Sequence, residues 1–79
     1  MTEKKTPRVK TGIYRHYKGK LYHVVGEAIH SETEETLIVY RALYGEYRLW
    51  VRPKSMFFEN IVLDGKAVPR FALEVKVDN

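Results

Sequence analysis

Turn-forming residues interrupt the sequence at short intervals, and the segments between them are rich in valine, isoleucine, tyrosine, phenylalanine and tryptophan. The turn signals contain glycine or clustered polar residues and occur at Lys18-Gly19, residues 30–35, Gly45-Glu46 and Asp64-Gly65. Helical periodicity is weak, whereas β-branched and aromatic segments at this spacing are typical of antiparallel strands. The sequence therefore predicts strands near residues 12–17, 21–29, 36–44, 47–52, 60–63 and 67–73.

The chain is small and has no cysteine, which limits how it can be stabilised. Its 79 residues are enough for only one domain. A chain of this length buries only about 60% of its unfolded surface, so it cannot support two separate cores. Disulfides and thiolate metal sites are excluded, so stability must come from burial and hydrogen bonding. No apolar run reaches the roughly 18 residues of a membrane span. We therefore expect a cytoplasmic protein with no membrane partner.

The net charge of +4 is concentrated near the N-terminus. Four basic residues and one acidic residue give the first ten residues 4 − 1 = +3, which leaves +1 for the rest of the chain. A polar basic segment without periodicity is typical of a disordered, solubilising arm. We divide the chain into a disordered basic arm over residues 1–11, a single β-barrel domain over residues 12–73 and a C-terminal tail over residues 74–79.

The second hairpin is the clearest local prediction. Gly45-Glu46 suits a two-residue turn, with glycine supplying the positive φ. Such a turn places Tyr40 opposite Val51, on a ribbon face that we predict to be core. The opposite face then carries basic and aromatic cross-strand pairs, which are Leu43 with Arg48, Arg41 with Trp50 and Val39 with Arg52.

The first hairpin has two candidate loops, Lys18-Gly19 and the three residues Lys18 to Lys20. The longer loop, which we prefer, pairs Tyr14 with Val24 and His16 with Tyr22. One face of the hairpin would then hold aromatic and small residues, namely Tyr14, His16, Tyr22, Val24, Gly26 and Ala28. Gly26 would allow the bend with which a strand wraps a small barrel.

Pro53 ends the second hairpin, because proline has no N–H to donate to a ladder. The segment from Pro53 to Phe57 is predicted to form a single 3₁₀ or helical turn, whose Met56 and Phe57 plug one end of the core. Five or six short strands with one such turn predict an all-β fold. We expect a small antiparallel, SH3-like barrel, with a β-sandwich as the other option.

An ordered series of motifs runs along residues 12–71: GxYRHYKGxxYxVxGxAxHSETxE, VYRALYG, LWVRPxxMFxE and VPRF. This series resembles a widespread bacterial family of small stand-alone proteins, whose domain has no known function. The family-like positions are mainly aromatic residues, glycines and polar turn residues, and they are Tyr14, His16, Tyr17, Gly19, Tyr22, Val24, Gly26, His30, Ser31, Glu32, Tyr40, Leu43, Tyr44, Trp50, Arg52, Pro53, Met56 and Phe57. The resemblance implies a family but no established activity.

The densest cluster of polar side chains is HSETEE, residues 30–35. A metal site here would use His30 and Glu32 together with His16. However, no HxH or HxxxH spacing is present, and we interpret the cluster as a solvated loop. No serine lies in a nucleophile elbow, and the glycines form no phosphate-binding loop. We therefore predict no catalytic residue, no bound metal and no cofactor, with a small enzyme or metal-binding protein built on these three residues as a further alternative.

Aromatic residues make up 13% of the chain. In a small domain without cysteine they fill the core efficiently, and we assign this role to Tyr22, Tyr40, Tyr44, Phe57 and Phe71. A second group is placed mostly away from the core by the predicted register, and it supplies the candidate ligand-binding residues Arg41, Arg48, Trp50, Arg52 and Tyr17. These residues form either a binding surface or a structural second layer.

These observations predict a non-catalytic binding module with a protein or peptide partner. The chain after the arm is nearly neutral, whereas a nucleic-acid reader usually has a basic domain. Single-stranded nucleic acid, bound by the same face together with the basic arm, is the alternative. The sequence leaves the ligand and the oligomeric state open.

Overall fold

The computed structural model describes residues 8–77. In chain order its elements are β1 (Gly12–His16), β2 (Leu21–Ile29), β3 (Thr36–Ala42), β4 (Leu49–Pro53), α1 (Lys54–Phe57), β5 (Asn60–Leu63), β6 (Lys66–Pro69) and β7 (Phe71–Lys76). The strands pair antiparallel in a five-stranded sheet of order β4-β3-β2-β1-β7 and in a separate ribbon of β5 and β6. No helix within these residues is both long and apolar enough to cross a membrane.

This architecture confirms the predicted all-β, antiparallel fold with one short helical turn. The segment predicted as one strand over residues 67–73 is instead divided into β6 and β7. Arg70 lies between them, and its N–H donates to the carbonyl of Glu59 while its carbonyl accepts from the N–H of Tyr17. Strands β4 and β7 form the two edges of the sheet, so the described strands form an open sheet and not a closed barrel.

The core lies on one face of the five-stranded sheet, where α1 covers it. Its central contact is between Phe57 and Phe71, whose rings stack with centroids 4.0 Å apart. The buried side chains of this cluster are Tyr14, Val24, Ile38, Tyr40, Phe57 and Phe71. Burial of Tyr40, Phe57 and Phe71 was predicted, whereas Tyr22 is half-buried, and Tyr44 and Met56 are exposed, contrary to prediction.

The first hairpin has a three-residue loop that is shifted by one position from the predicted one. Tyr14 lies opposite Tyr22, and Arg15 lies opposite Leu21. The N–H of His16 donates to the carbonyl of Lys20, which leaves residues 17–19 as the loop. Because this register differs from the predicted one by two residues, Tyr14 and Tyr22 still share a face.

The second hairpin differs from the prediction by one residue, and this changes the faces of its side chains. Tyr40 lies opposite Trp50, and Ile38 lies opposite Arg52. Trp50 and Arg52 therefore share the core face of the sheet, while Arg41 lies on the other face. The predicted two-residue turn is replaced by a six-residue connection over residues 43–48.

Strand β2 contains an irregularity next to Gly26, where a bend was predicted. The register against β3 shifts between Val24 and Gly26, so Glu27 lies opposite Ile38. A β-bulge of this kind moves the following residues to the other face. It brings the Glu27 carboxylate to Lys54, whose Nζ lies 2.7 Å away, and to the N–H of Val9, also at 2.7 Å.

Residues at both ends of the described chain contact the sheet. Val9 packs against the core, and the Thr11 hydroxyl donates to the carbonyl of Val77. Strand β7 continues to Lys76, three residues beyond the predicted domain end at residue 73. Val9 and Thr11, which the sequence assigns to the basic arm, therefore contact the folded domain, while residues 1–7 lie outside the described residues.

Candidate functional site

The five candidate ligand-binding residues from the sequence do not form one surface. Trp50 and Arg52 share the core face of β4, whereas Arg41 projects from the opposite face of β3. Arg48 lies in the loop before β4, and Tyr17 lies in the β1–β2 loop. Trp50 and Arg52 therefore share a face of the sheet, but their neighbours on that face are not the predicted ones.

Those neighbours are three tyrosines, and together they line a cleft at the β4 edge of the core face. The aromatic cleft has a volume of about 200 Å³ and is lined by Tyr22, Tyr40, Tyr44, Trp50 and Arg52. Tyr22 belongs to β2, Tyr40 to β3, and Tyr44 to the loop between β3 and β4. Trp50 is 49% exposed because it lies on the edge strand, beyond the part of the core that α1 covers.

Aromatic packing fixes the walls of the aromatic cleft. The ring of Tyr22 makes edge-to-face contacts with Tyr40 and Tyr44, at centroid distances of 5.4 Å and 5.5 Å. Tyr40 in turn contacts the buried Phe57 and Phe71 at 5.3 Å and 5.6 Å. Edge-to-face pairs of this kind add to the stability that burial provides. The tyrosine wall of the cleft is therefore built on the hydrophobic core.

The polar groups of the aromatic cleft are mostly hydrogen-bond donors. The hydroxyls of Tyr22 and Tyr44 are 2.6 Å apart, so one donates to the other and the second retains a hydrogen for a ligand. Burial, followed by this bond to Tyr44, raises the pKa of Tyr22, which keeps the phenol neutral and able to donate. The Arg52 Nε–H points to the Tyr40 hydroxyl at 3.5 Å. Among the described residues, no carboxylate lines the cleft.

Arg52 differs from other arginines in the described part of the chain by its partner. Arg15, Arg48 and Arg70 each lie within 4.0 Å of a carboxylate. Arg52 makes no such ion pair in residues 8–77, and its recorded partner is the phenol of Tyr40. A half-buried guanidinium with free donors and no counter-charge is suited to a carboxylate or phosphate oxygen from a ligand.

His16 lies beside the aromatic cleft. Its ring is 6.3 Å from that of Tyr22, and its Nδ1 accepts the N–H of Lys18 at 3.1 Å. Burial lowers the pKa of His16, and the positive charges of Arg70, Lys18 and Arg52 lower it further. The three charges that lower the pKa of this imidazole are therefore all positive.

His30 and Glu32 lie at the other end of the sheet. His16 precedes the start of β2 and His30 follows its end, so about 25 Å of strand separates the two imidazoles. The Nδ1 of His30 accepts the N–H groups of Glu32 and Thr33, at 3.1 Å and 3.3 Å. Within residues 8–77, no three acidic or histidine side chains are placed to hold a metal ion. The alternative site of His16, His30 and Glu32 is therefore not assembled.

Tyr17 lines a different depression, which lies between the β5–β6 ribbon and the sheet. This second groove has a volume of about 290 Å³. Its lining is largely apolar, and at its side Arg15 and Glu74 form an ion pair of 2.5 Å. The lining residues are Arg15, His16, Tyr17, Leu63, Val68, Pro69, Ala72 and Glu74. The groove is larger than the aromatic cleft, but the two charged residues in its described lining, Arg15 and Glu74, pair with each other.

Sequence reasoning missed the three tyrosines of the aromatic cleft, because it assigned them entirely to the core. Their rings do pack on the core, but their hydroxyls face the cleft beside Arg52. The signal that could have found them is the hairpin register. With Tyr40 opposite Trp50, the aromatic residues of β2, β3 and β4 all fall on one face.

Comparison with known proteins agrees with the resemblance seen in the sequence. Residues 12–73 match the family described as protein of unknown function DUF1653. The crystal structure of a DUF1653 protein from Bordetella bronchiseptica superimposes with a TM-score of 0.79 at 33% sequence identity, and the match covers 90% of this chain and 94% of that one. No protein with a curated description matches the chain. The chain therefore belongs to DUF1653, a family of proteins of unknown function.

Proposed function

We propose that this protein is a non-catalytic binding module, and that its aromatic cleft holds an acidic group of a protein or peptide partner. The observation that carries this proposal is Arg52, a half-buried guanidinium without a carboxylate in a cleft whose other polar groups are tyrosine hydroxyls and an indole. A ligand oxygen that accepts hydrogen bonds supplies what this set of donors lacks.

The distribution of charge supports an acidic partner. Lys18 and Lys20 lie in the β1–β2 connection, at the same end of the sheet as the aromatic cleft, and Lys20 Nζ sits 4.8 Å from the ring centroid of Tyr44. The acidic run of Glu32, Glu34 and Glu35 lies in the connection at the other end of β2 and β3. An approaching anion is therefore attracted to the end that contains the cleft.

The same cleft offers apolar contact. Trp50 is half-exposed beside the tyrosine rings, and a tryptophan in such a position contributes a large contact area with little loss of side-chain freedom. A smaller recess of about 90 Å³ shares Tyr44 and Trp50 with the cleft, and its other lining residues include Glu46, which pairs with Arg48. A bound side chain can thus bury apolar surface against the indole while its acidic group meets Arg52.

A titration with two matched peptides tests this proposal. The acidic probe is a blocked peptide of alternating valine and glutamate, and the control has lysine in place of glutamate. Because Trp50 is the only tryptophan in the chain, its fluorescence and its indole NMR signal report on the cleft. We expect the acidic probe to perturb Trp50 and the lysine control to leave it unchanged.

Two variants that each remove one positive charge provide the second arm of the test. Arg52→Gln should weaken binding of the acidic probe by about tenfold, which is the loss expected for a charge-assisted hydrogen bond. Lys66→Gln removes a positive charge from the exposed surface of β6, which does not line the cleft, and should leave affinity nearly unchanged. If the acidic probe fails to perturb Trp50, or if both variants bind equally well, the proposal is wrong.

Single-stranded nucleic acid is the second candidate ligand. It is favoured by the exposed indole of Trp50, on which a base can stack, and by the lysines of the nearby β1–β2 connection. A steep fall in affinity for a single-stranded oligonucleotide with added salt would support it, because each neutralised phosphate releases counterions. Affinity for the acidic peptide should depend on salt much more weakly.

A further inference from the structure

Strand β4 is an edge of the sheet, and it forms one wall of the aromatic cleft. In residues 8–77 it pairs with β3 alone. Its first three side chains are exposed, with Leu49 at 53%, Trp50 at 49% and Val51 at 56%. The unpaired backbone groups of an edge strand are a template on which another strand can form hydrogen bonds.

The hydrogen-bond pattern shows which backbone groups of β4 are free. The N–H of Ala42 donates to the carbonyl of Arg48, so these two residues occupy a hydrogen-bonded position of the ladder. In an antiparallel ladder such pairs alternate with pairs that make none. Trp50 and Arg52 therefore bond to β3, whereas the N–H and carbonyl groups of Leu49 and Val51 point away from the sheet.

Side chains alternate along the same strand. Trp50 and Arg52 project to the aromatic cleft, and Leu49 and Val51 project to the opposite face. A strand added to β4 would consequently place every second side chain beside Trp50 and Arg52. Its other side chains would cover Leu49 and Val51.

The charges near this edge indicate what kind of strand fits. Residues 48–54 contain three basic residues and no acidic one. Arg48 and Lys54 pair with Glu46 and Glu27, whereas Arg52 makes no ion pair within residues 8–77. Pairing of β4 with β4 of a second copy would bring like charges together, which is unfavourable for directly opposed residues. A strand with acidic side chains has the complementary charge.

We infer that the partner binds by adding an antiparallel strand to the free edge of β4, with apolar side chains against Leu49 and Val51 and an acidic side chain directed to Arg52 in the aromatic cleft. This inference rests on the proposed function and adds the geometry of binding to it. The main-chain bonds to Leu49 and Val51 hold an extended peptide of any sequence, and the cleft selects peptides with acidic residues at alternate positions.

Backbone methylation of the acidic probe tests the added strand without changing the protein. In antiparallel pairing the valines lie opposite Leu49 and Val51, so their amides donate to β4, whereas the glutamate amides point away. N-methylation of two valines should weaken binding about tenfold, from the loss of two hydrogen bonds. N-methylation of two glutamates is the matched control, and it should change affinity little.

Hydrogen exchange gives an independent readout. Binding of the unmethylated probe should slow exchange of the Leu49 and Val51 amides, which are free in the unbound sheet. The Trp50 amide already donates to β3, so its exchange should change much less.

The outcomes separate this inference from the proposed function. If binding depends on Arg52 but both methylated probes bind equally, the cleft binds the acid and strand addition is wrong. A larger loss with N-methylated glutamate, or no slowing at Leu49 and Val51, also overturns the antiparallel strand. If the acidic probe does not perturb Trp50 at all, the proposed function itself is wrong.

Discussion

Replacing Gly12 with alanine tests how closely β1 packs against β7. Gly12 has a φ of +149°, and a Cβ built on it would lie 2.1 Å from the carbonyl oxygen of Val75. The same Cβ would be 3.0 Å from the Cα of Lys76 and 3.0 Å from the nitrogen of Val77. All three atoms belong to backbone, so no side-chain rotation can relieve the clash.

The cost follows from how far the strands must separate. Moving the Cβ from 2.1 Å to an ordinary contact distance of 3.4 Å requires a displacement of 3.4 − 2.1 = 1.3 Å. That displacement would stretch the 3.0 Å bond between the N–H of Val77 and the carbonyl of Thr11 beyond hydrogen-bonding distance. Unfavourable φ costs about 1–3 kcal/mol, and one or two lost hydrogen bonds add about 0.5–1.5 kcal/mol each. We therefore expect Gly12→Ala to destabilise the fold by about 2–5 kcal/mol.

Urea denaturation followed by circular dichroism measures this change, and Gly26→Ala is the control. A Cβ at Gly26 meets no atom within 4 Å, so alanine there should be neutral or stabilise by up to about 1 kcal/mol. In a domain of this size, the loss at Gly12 should also lower Tm by about 10 °C or more. Equal stabilities of the two variants would refute the close approach of β1 and β7.

Three further changes test the core and the charged groups. Phe57→Ala should destabilise the fold by about 3–5 kcal/mol, because Phe57 is fully buried and stacked on Phe71. Phe58 is 43% exposed, so Phe58→Ala should cost clearly less stability in the same urea assay. Burial alone would raise the pKa of Glu27, but its bonds from Lys54 and Val9 outweigh burial and lower the pKa below 4.5. Glu27→Gln should accordingly lower the free energy of unfolding by about 1–2 kcal/mol at pH 7. This difference in stability from wild type should vanish as the pH falls through the lowered folded pKa of Glu27 and the carboxylate is protonated. A difference that persists in strong acid would contradict this. In an NMR titration, the pKa of His16 should lie below the usual value for histidine. The acidic probe should raise this pKa, because its carboxylate offsets the charge of Arg52. If the probe leaves the pKa of His16 unchanged, it binds elsewhere.

The sequence was sufficient for features that depend on local chemistry. Asp64-Gly65 predicted the hairpin of β5 and β6, and both residues have positive φ there, 51° and 78°, as a tight hairpin turn requires. Pro53 predicted the end of β4 and the start of the helical turn. In each case a backbone restriction of one or two residues determines the structure.

The register of the second hairpin could not be predicted in the same way, because it depends on a longer loop. Gly45 and Tyr47 both have left-handed φ, 60° and 57°, and the N–H of Tyr47 donates to the carbonyl of Tyr44. The Arg41 guanidinium donates to the carbonyl of Tyr47 at 2.8 Å and holds this tyrosine in a conformation that non-glycine residues seldom adopt. Alternation of apolar residues gives no sign of such a contact, yet a shift of one residue moves every side chain of β4 to the other face.

The bulge in β2 had a similar effect on a smaller scale. A glycine at position 26 indicated an irregularity in the strand. A single glycine does not show whether the strand gains an extra residue there, and so does not show which face the following side chains occupy. The extra residue places Glu27 on the core face, where Lys54 and Val9 satisfy its carboxylate. The sequence contained these partners, but only the folded sheet brings them together.

The position of β1 in the sheet has a consequence for how the chain folds in time. β1 lies between β2, its neighbour in sequence, and β7, with which it pairs across about sixty residues, as in Gly12 with Lys76. Contacts so distant in sequence slow folding, because closing a long loop costs conformational entropy before the paired strands stabilise each other. During synthesis, the hairpins β1–β2, β2–β3 and β3–β4 can form as they emerge from the ribosome. The sheet is complete only when residues 71–76 have been released, so until then one edge of β1 is exposed to other chains.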